Sequence, residues 1–181
     1  NTPMRSLHVV AAVACAALAQ LGVSAFQAPA SGYQERDFLT RTRRLTVDGR
    51  RSGEGYFSPD GKRMVFQSER EASNPWYQIY TLDFATGDIK RVSPGLGKTT
   101  CAYFRPGTDE ILFSSTHHDP KSKQYQDDEI AFRASGQTRR YSWDYDTEMD
   151  IYVTNEKTGA MKRLTTAKGY DAESALSLIH I

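Results

Sequence analysis

Residues 56–63 of this chain read Tyr56-Phe57-Ser58-Pro59-Asp60-Gly61-Lys62-Arg63. Proline at the second turn position fixes φ and glycine at the fourth permits a tight reversal, so Ser58 to Gly61 predict a hairpin turn. Beyond it, Arg63 to Ser68 predict a strand, because aliphatic and aromatic residues occur there over a strand-like length. Two more strands are predicted at 78–83 and 89–93, separated by the turn signal Thr86-Gly87.

The same pattern recurs later in the chain. A shift of 47 positions places Tyr56-Phe57-Ser58-Pro59 on Tyr103-Phe104-Arg105-Pro106, and a shift of 72 places Ile79-Tyr80 on Ile151-Tyr152. The difference of 25 residues predicts an insertion, which we assign to a loop at 117–149. Four short strands in a unit of about 45 residues are typical of one blade of a β-propeller.

The sequence therefore predicts an all-β fold, a β-propeller fragment of about two four-stranded blades plus one extra outer strand. No helix is predicted, because no apolar stripe with a period of 3.6 residues is long enough. The predicted segments are upstream residues with a signal peptide (1–25), a linker (26–41), a first blade whose preceding outer strand contains Leu45 (42–94), a second blade (95–166), the start of a third (167–173) and a non-native or disordered tail (174–181).

The repeat resembles the TolB-like family of six-bladed β-propellers, whose WD-like repeat carries the phrase Y-F-S-P-D-G-K-R. The resemblance extends over residues 42–173, and the second copy departs from the phrase at Pro106-Gly107-Thr108-Asp109. It implies a periplasmic module that contacts a peptidoglycan-associated lipoprotein within the Tol system. TolB proteins carry an α/β domain before the propeller, whereas here only residues 26–41 lie between the signal and the first strand, and this weakens the narrower identification.

The N-terminal residues predict an export signal. Arg5 precedes an uncharged apolar run from Leu7 to Leu18, and small residues end at Val23-Ser24-Ala25, as at a cleavage site. The run is shorter than the ~20 residues that a membrane-spanning helix needs. We therefore expect a signal peptide from Met4 to Ala25, a periplasmic or secreted protein, and no membrane insertion. Cys101 is then the only cysteine of the mature chain, and we expect a buried apolar residue rather than a reactive thiol.

The composition argues against a polyanion partner. The 181 residues include 23 Lys and Arg against 22 Asp and Glu, so the formal net charge is +1 and no nucleic-acid partner is expected. No motif of a serine hydrolase or zinc enzyme occurs, which predicts a non-catalytic chain without a cofactor or metal. His117-His118-Asp119 invites a metal-site hypothesis, but adjacent side chains at a strand end are expected to point to opposite sides.

Candidate binding residues cluster in the insertion and in the loops expected beside it. Strands that alternate in direction bring the insertion, Pro94–Thr99 and Thr166–Tyr170 to one end of the propeller. Arginine next to aromatic side chains is typical of protein and peptide contacts. The candidate residues are Lys98, Arg139, Arg140, Tyr141, Trp143, Tyr145 and Asp171. An equally weighted alternative is a loop that packs on itself and has a solvated rim.

These observations predict an exported, non-catalytic β-propeller binding module of TolB-like type. Its expected partner is a protein, a peptide or an envelope component such as a lipoprotein. The alternative is the N-terminal propeller domain of an exported hydrolase or peptidase, as in dipeptidyl-peptidase IV-like enzymes, with its catalytic domain further along the chain. The reading frame after Glu173 distinguishes the two.

Overall fold

The computed structural model describes residues 32, 34–140, 142, 145–177 and 179, so the predicted signal peptide lies outside the described residues. The chain divides into two units, residues 1–45 and 46–181. The first contains the short helix α1 (Glu35–Phe38). The predicted outer strand around Leu45 is wrong, because residues 42–48 form no strand. A strand requires a hydrogen-bonded neighbour, and no strand in the described part of the chain pairs with this segment.

The second unit consists of two four-stranded antiparallel sheets, in each of which the strands lie in chain order. The first sheet contains β1 (Arg51–Phe57), β2 (Arg63–Glu69), β3 (Gln78–Asp83) and β4 (Ile89–Arg91), and the second contains β5 (Thr99–Phe104), β6 (Glu110–Ser115), β7 (Asp150–Asn155) and β8 (Met161–Arg163). The predicted all-β class is confirmed. The inserted segment differs from the expected loop, because it contains the helix α2 (Ser122–Ala134).

The turn between β1 and β2 has the geometry that its residues favour. The Ser58 hydroxyl donates to an Asp60 carboxylate oxygen at 2.6 Å, and the Gly61 amide donates to the Ser58 carbonyl at 2.9 Å. The hydrogen bond from Ser58 lowers the pKa of Asp60. Gly61 has φ +68°, a conformation that residues with a Cβ adopt only at a cost. The turn therefore depends on glycine for its backbone and on Ser58 and Asp60 for its hydrogen bonds.

Gly61→Val is expected to lower the free energy of unfolding by about 1–2 kcal/mol, because a β-branched residue is strained at positive φ. No other atom lies within 4 Å of a Cβ built at this position, so the effect should come from the backbone alone. Urea denaturation measures the change. Gly61→Asn is the matched control, since asparagine tolerates the left-handed region, and an equal loss in both variants would contradict this explanation.

Corresponding residues of the two sheets occupy the same ladder positions but face different neighbours. Phe66 pairs with Tyr80 in the first sheet, and Phe113 pairs with Tyr152 in the second. Phe113 and Tyr152 pack against Ile79 of the first sheet, whereas Phe66 and Tyr80 form a separate cluster on its other face. The front of one sheet thus stacks on the back of the next. Neighbouring propeller blades stack in this way.

The core between the sheets is apolar and nearly inaccessible to water. Its members are all at most 2% exposed: Val65, Ile79, Ala102, Ile111, Phe113 and Tyr152. Full burial of one such large side chain contributes about 1.5–3 kcal/mol to stability. These residues come from β2 and β3 of the first sheet and from β5, β6 and β7 of the second, so their packing holds the two sheets together and fixes the relative position of the loops at their ends.

The first strand of each sheet contains a bulge at the same repeat position. The register shifts between Gly53 and Tyr56 and between Thr100 and Tyr103, and the bulge residues Glu54 and Cys101 have φ of 43° and 53°. Cys101 is buried, and burial raises the pKa of its thiol to about 11, so the thiol stays protonated. Glu173, a further 72 residues along, has φ 53°. The start of a third blade at 167–173 stays a prediction.

Candidate functional site

Three connections meet at one end of the two sheets: β2–β3, β4–β5 and the insertion between β6 and β7. Gln126 of α2 joins all three, because its side chain accepts from the Gly97 amide at 3.1 Å and donates to the Ser73 carbonyl at 2.5 Å. Asn74 donates to the Gly97 carbonyl at 3.0 Å. Direct hydrogen bonds between connections distant in sequence therefore hold α2 against the sheets.

The buried face of α2 is polar, which explains why the apolar periodicity of the sequence did not predict a helix. Ser122, Gln126 and Glu129 are its buried residues, and all three make hydrogen bonds. The sequence does carry a different signal for this helix. Lys123 pairs with Asp127, and Glu129 pairs with Arg133, in both cases one helical turn away. Such pairs stabilise a helix without an apolar stripe.

An ion-pair network joins α2 to the first sheet. Arg133 donates to Glu129 at 2.7 Å and to Glu69 at 2.6 Å, and Arg51 donates to the second oxygen of Glu69 at 2.8 Å. Arg139 also donates to Glu129. The carboxylates of Glu69 and Glu129 are only 7% and 10% exposed. Burial raises the pKa of Glu129, but the hydrogen bonds from Arg133 and Arg139 outweigh it and hold that pKa below its ordinary value.

A cavity of about 550 Å³ lies beside α2 and brings together three of the predicted binding residues, Lys98, Arg139 and Tyr145. Trp76 and Phe132 also line it. The Lys98 ammonium lies 2.9 Å from an Asp146 carboxylate oxygen and 5.3 Å from the centre of the Trp76 ring. Its charge is therefore largely compensated, and Tyr145 is the aromatic side chain of this cavity that is most open to a partner.

A second, larger cleft of about 750 Å³ adjoins this cavity, and the two share Trp76, Glu129, Phe132 and Arg139. Arg140 lies in this cleft. The remaining arginines that line it are Arg50, Arg51 and Arg133. The cleft and the cavity together form one continuous surface at the end of the sheets that carries α2.

Three candidate residues remain: Tyr141, Trp143 and Asp171. Tyr141 and Trp143 lie outside the described residues. Asp171 lines neither the cavity nor the cleft, and its amide donates to the Met149 carbonyl at 2.9 Å. The ring of Tyr145 stacks on that of Tyr170 with centroids 5.0 Å apart.

Several residues that line the site were not predicted from the sequence. Trp76 and the pair Arg50-Arg51 lie far from the insertion in the chain, and Phe132 belongs to the unpredicted helix. Only the tertiary structure brings them to the site, because Trp76 follows β2 and the arginines precede or begin β1. The available signal was the pair of aromatic residues Trp76 and Tyr77 in a loop of the same predicted face, and it gave no indication of the arginines or of Phe132.

The expectation that the His117 and His118 rings point to opposite sides is wrong. His118 Nδ1 lies 3.0 Å from His117 Nε2, because β6 ends at Ser115 and residues 116–119 form a turn in which the alternation of a strand no longer holds. Burial, followed by the charge of His118, lowers the pKa of His117 to about 4, so its imidazole is neutral at pH 7. In the described part of the chain, no group of three or more His, Cys, Asp or Glu side chains is arranged to hold a metal ion.

None of the helices in the described part of the chain has the length and hydrophobicity to span a membrane. No family model matches the chain, and no curated protein matches it. Among solved structures, TolB from Acinetobacter baumannii is 24% identical, with a TM-score of 0.43 over 65% of this chain and 22% of that one. A protein assigned as TolB from Agrobacterium tumefaciens is 18% identical, with a TM-score of 0.48 over 69% of this chain and 37% of that one. The chain thus spans well under half the length of either structure.

Proposed function

We propose that this chain is a non-catalytic binding module of TolB-like type, and that its partner is a protein, a peptide or an envelope component. The proposed binding surface is the end of the two sheets that carries α2. The resemblance of the repeat around Ser58 to Gly61 supports the TolB-like type, and the apolar run after Arg5 supports export to the periplasm or beyond.

One observation carries the proposal: aromatic and arginine side chains from separate connections line a single continuous surface. Trp76, Phe132 and Tyr145 supply rings, and Arg139 stacks on Phe132 at 4.6 Å from the ring centre. Tyr145 is 65% exposed. Aromatic and arginine residues are the types that dominate binding energy at protein interfaces. Aromatic rings bury a large area at a low cost in conformational entropy, and the planar guanidinium group of arginine offers several hydrogen-bond donors.

Photocrosslinking tests this assignment. A photoreactive phenylalanine analogue at position 145, in the full chain expressed in the cells that encode it, is expected to form adducts with one partner protein. The matched control position is Phe57, which is 66% exposed and lies next to the β1–β2 turn. Adducts of equal yield from both positions would contradict the proposal. Phe57 ends β1 at the β1–β2 turn, whereas Tyr145 belongs to the insertion at the other end of the sheets.

Binding of the purified partner provides the second measurement. Tyr145→Ala is expected to weaken binding by about tenfold, the effect of removing one ring of moderate importance from an interface. Phe57→Ala should leave the affinity unchanged. Unaltered binding in both variants would mean that the surface beside α2 is not the binding surface.

A further inference from the structure

The cleft beside α2 is the most positively charged part of the proposed binding surface. Five arginines line it, namely Arg50, Arg51, Arg133, Arg139 and Arg140. Two carboxylates, those of Glu69 and Glu129, lie against them. A net of three positive charges therefore remains within about 750 Å³, in a chain whose overall formal charge is only +1.

The two carboxylates neutralise arginines inside the cleft, and the rim of the cleft stays positively charged. Glu69 and Glu129 are buried, and they form ion pairs with Arg51, Arg133 and Arg139. Arg50 is 67% exposed and its guanidinium lies 3.6 Å from Glu69. Arg140 is also exposed and forms no ion pair with a carboxylate of the described residues. Arg50 and Arg140 are thus the cations with most hydrogen-bonding capacity left for a ligand.

Aromatic rings hold two of the guanidinium groups in place. Arg51 lies 4.6 Å from the centre of the Tyr77 ring, and Arg139 lies 4.6 Å from that of Phe132. A guanidinium that rests on a ring keeps its N–H edges in a fixed plane, which suits two-point contact with a carboxylate. Because these groups are already ordered, binding an anion here costs less side-chain entropy than binding it to mobile lysines.

From these contacts we propose that the cleft binds an acidic segment of the partner protein, with aspartate or glutamate carboxylates on the arginines and an apolar side chain against Trp76 and Phe132. This inference rests on the proposed binding function and names the chemistry of its partner. Charge complementarity favours the assignment, and the walls of the cleft distinguish it from nucleic-acid binding. A phosphate backbone requires an extended basic surface, whereas here Asp128 and Asp146 line the adjoining cavity.

The experiment measures binding of a fluorescent peptide of alternating aspartate and leucine to the full chain, by anisotropy at physiological salt. The asparagine version of the peptide should not bind. The double variant Arg50→Gln/Arg140→Gln is expected to weaken binding of the acidic peptide by about tenfold, since it removes two exposed charge pairs with the peptide carboxylates. Lys62→Gln/Lys162→Gln removes the same charge at exposed sites outside the cleft and should leave the affinity unchanged.

Three results of the peptide assay would overturn the inference: equal binding of the asparagine peptide, equal losses in the two double variants, or tighter binding of a single-stranded oligothymidylate with the same loss in the cleft variant. The crosslinking experiment at position 145 distinguishes failure of the acidic-segment inference from failure of the proposed binding function. If the cleft variant keeps full crosslinking and full affinity for the natural partner, the acidic-segment inference fails and the binding module stands.

Discussion

Tyr152→Ala is expected to lower the free energy of unfolding by about 3–5 kcal/mol, the usual cost of removing a large aromatic side chain from a core. Tyr152 is fully buried between the two sheets. Its ring centre lies 6.1 Å from that of Phe113 and 4.4 Å from that of His117, so its loss would leave a cavity bounded by β6, β7 and the turn after β6. Urea denaturation followed by tryptophan fluorescence measures the change.

Tyr152→Phe is the matched control, because it removes only the hydroxyl. That hydroxyl is buried and has no hydrogen-bond partner among the described residues. A buried, unpaired hydroxyl is unfavourable, so the phenylalanine variant is expected to be as stable as the original chain or more stable by about 1 kcal/mol. If Tyr152→Ala lowers the free energy of unfolding by less than about 1 kcal/mol, Tyr152 is not part of the core that joins the sheets.

Arg133→Met is expected to lower the free energy of unfolding by about 2–3 kcal/mol. Arg133 bridges the buried carboxylates of Glu69 and Glu129, and a buried charge without its partner is costly. The loss should stay below the full cost of two orphaned charges, because Arg51 still reaches Glu69 and Arg139 still reaches Glu129. Chemical denaturation gives the stability, and the rate of proteolysis within the insertion reports whether α2 detaches first.

Arg105→Met is the control for this prediction. Arg105 also pairs with a glutamate, Glu110, at 2.7 Å, but both side chains are far more exposed, at 43% and 32%. Such a surface pair contributes at most about 1 kcal/mol. If Arg133→Met costs no more than Arg105→Met, the network beside α2 does not hold the helix in place.

Several features of the site were predicted from the sequence because they depend on local rules. The alternation of strand direction predicts that the insertion and the β4–β5 connection lie at one end, and Lys98 and Tyr145 do line one cavity. The outer strand at Leu45 and the opposite orientations of His117 and His118 were wrong, because each required a strand that does not exist at that point. Local alternation predicts side-chain directions only where a ladder continues.

The amino-acid sequence alone determined most of the strands and turns, because a turn at Gly61 and the β-branched and aromatic residues of β2 and β3 depend on neighbours within a few positions. Tertiary structure decided the helix and the arginine cleft. Arg133 meets Glu69 across 64 positions, and Gln126 meets Ser73 across 53. The buried face of α2 is stabilised by polar partners that lie this far away in the sequence. A periodicity within residues 122–134 cannot indicate those partners.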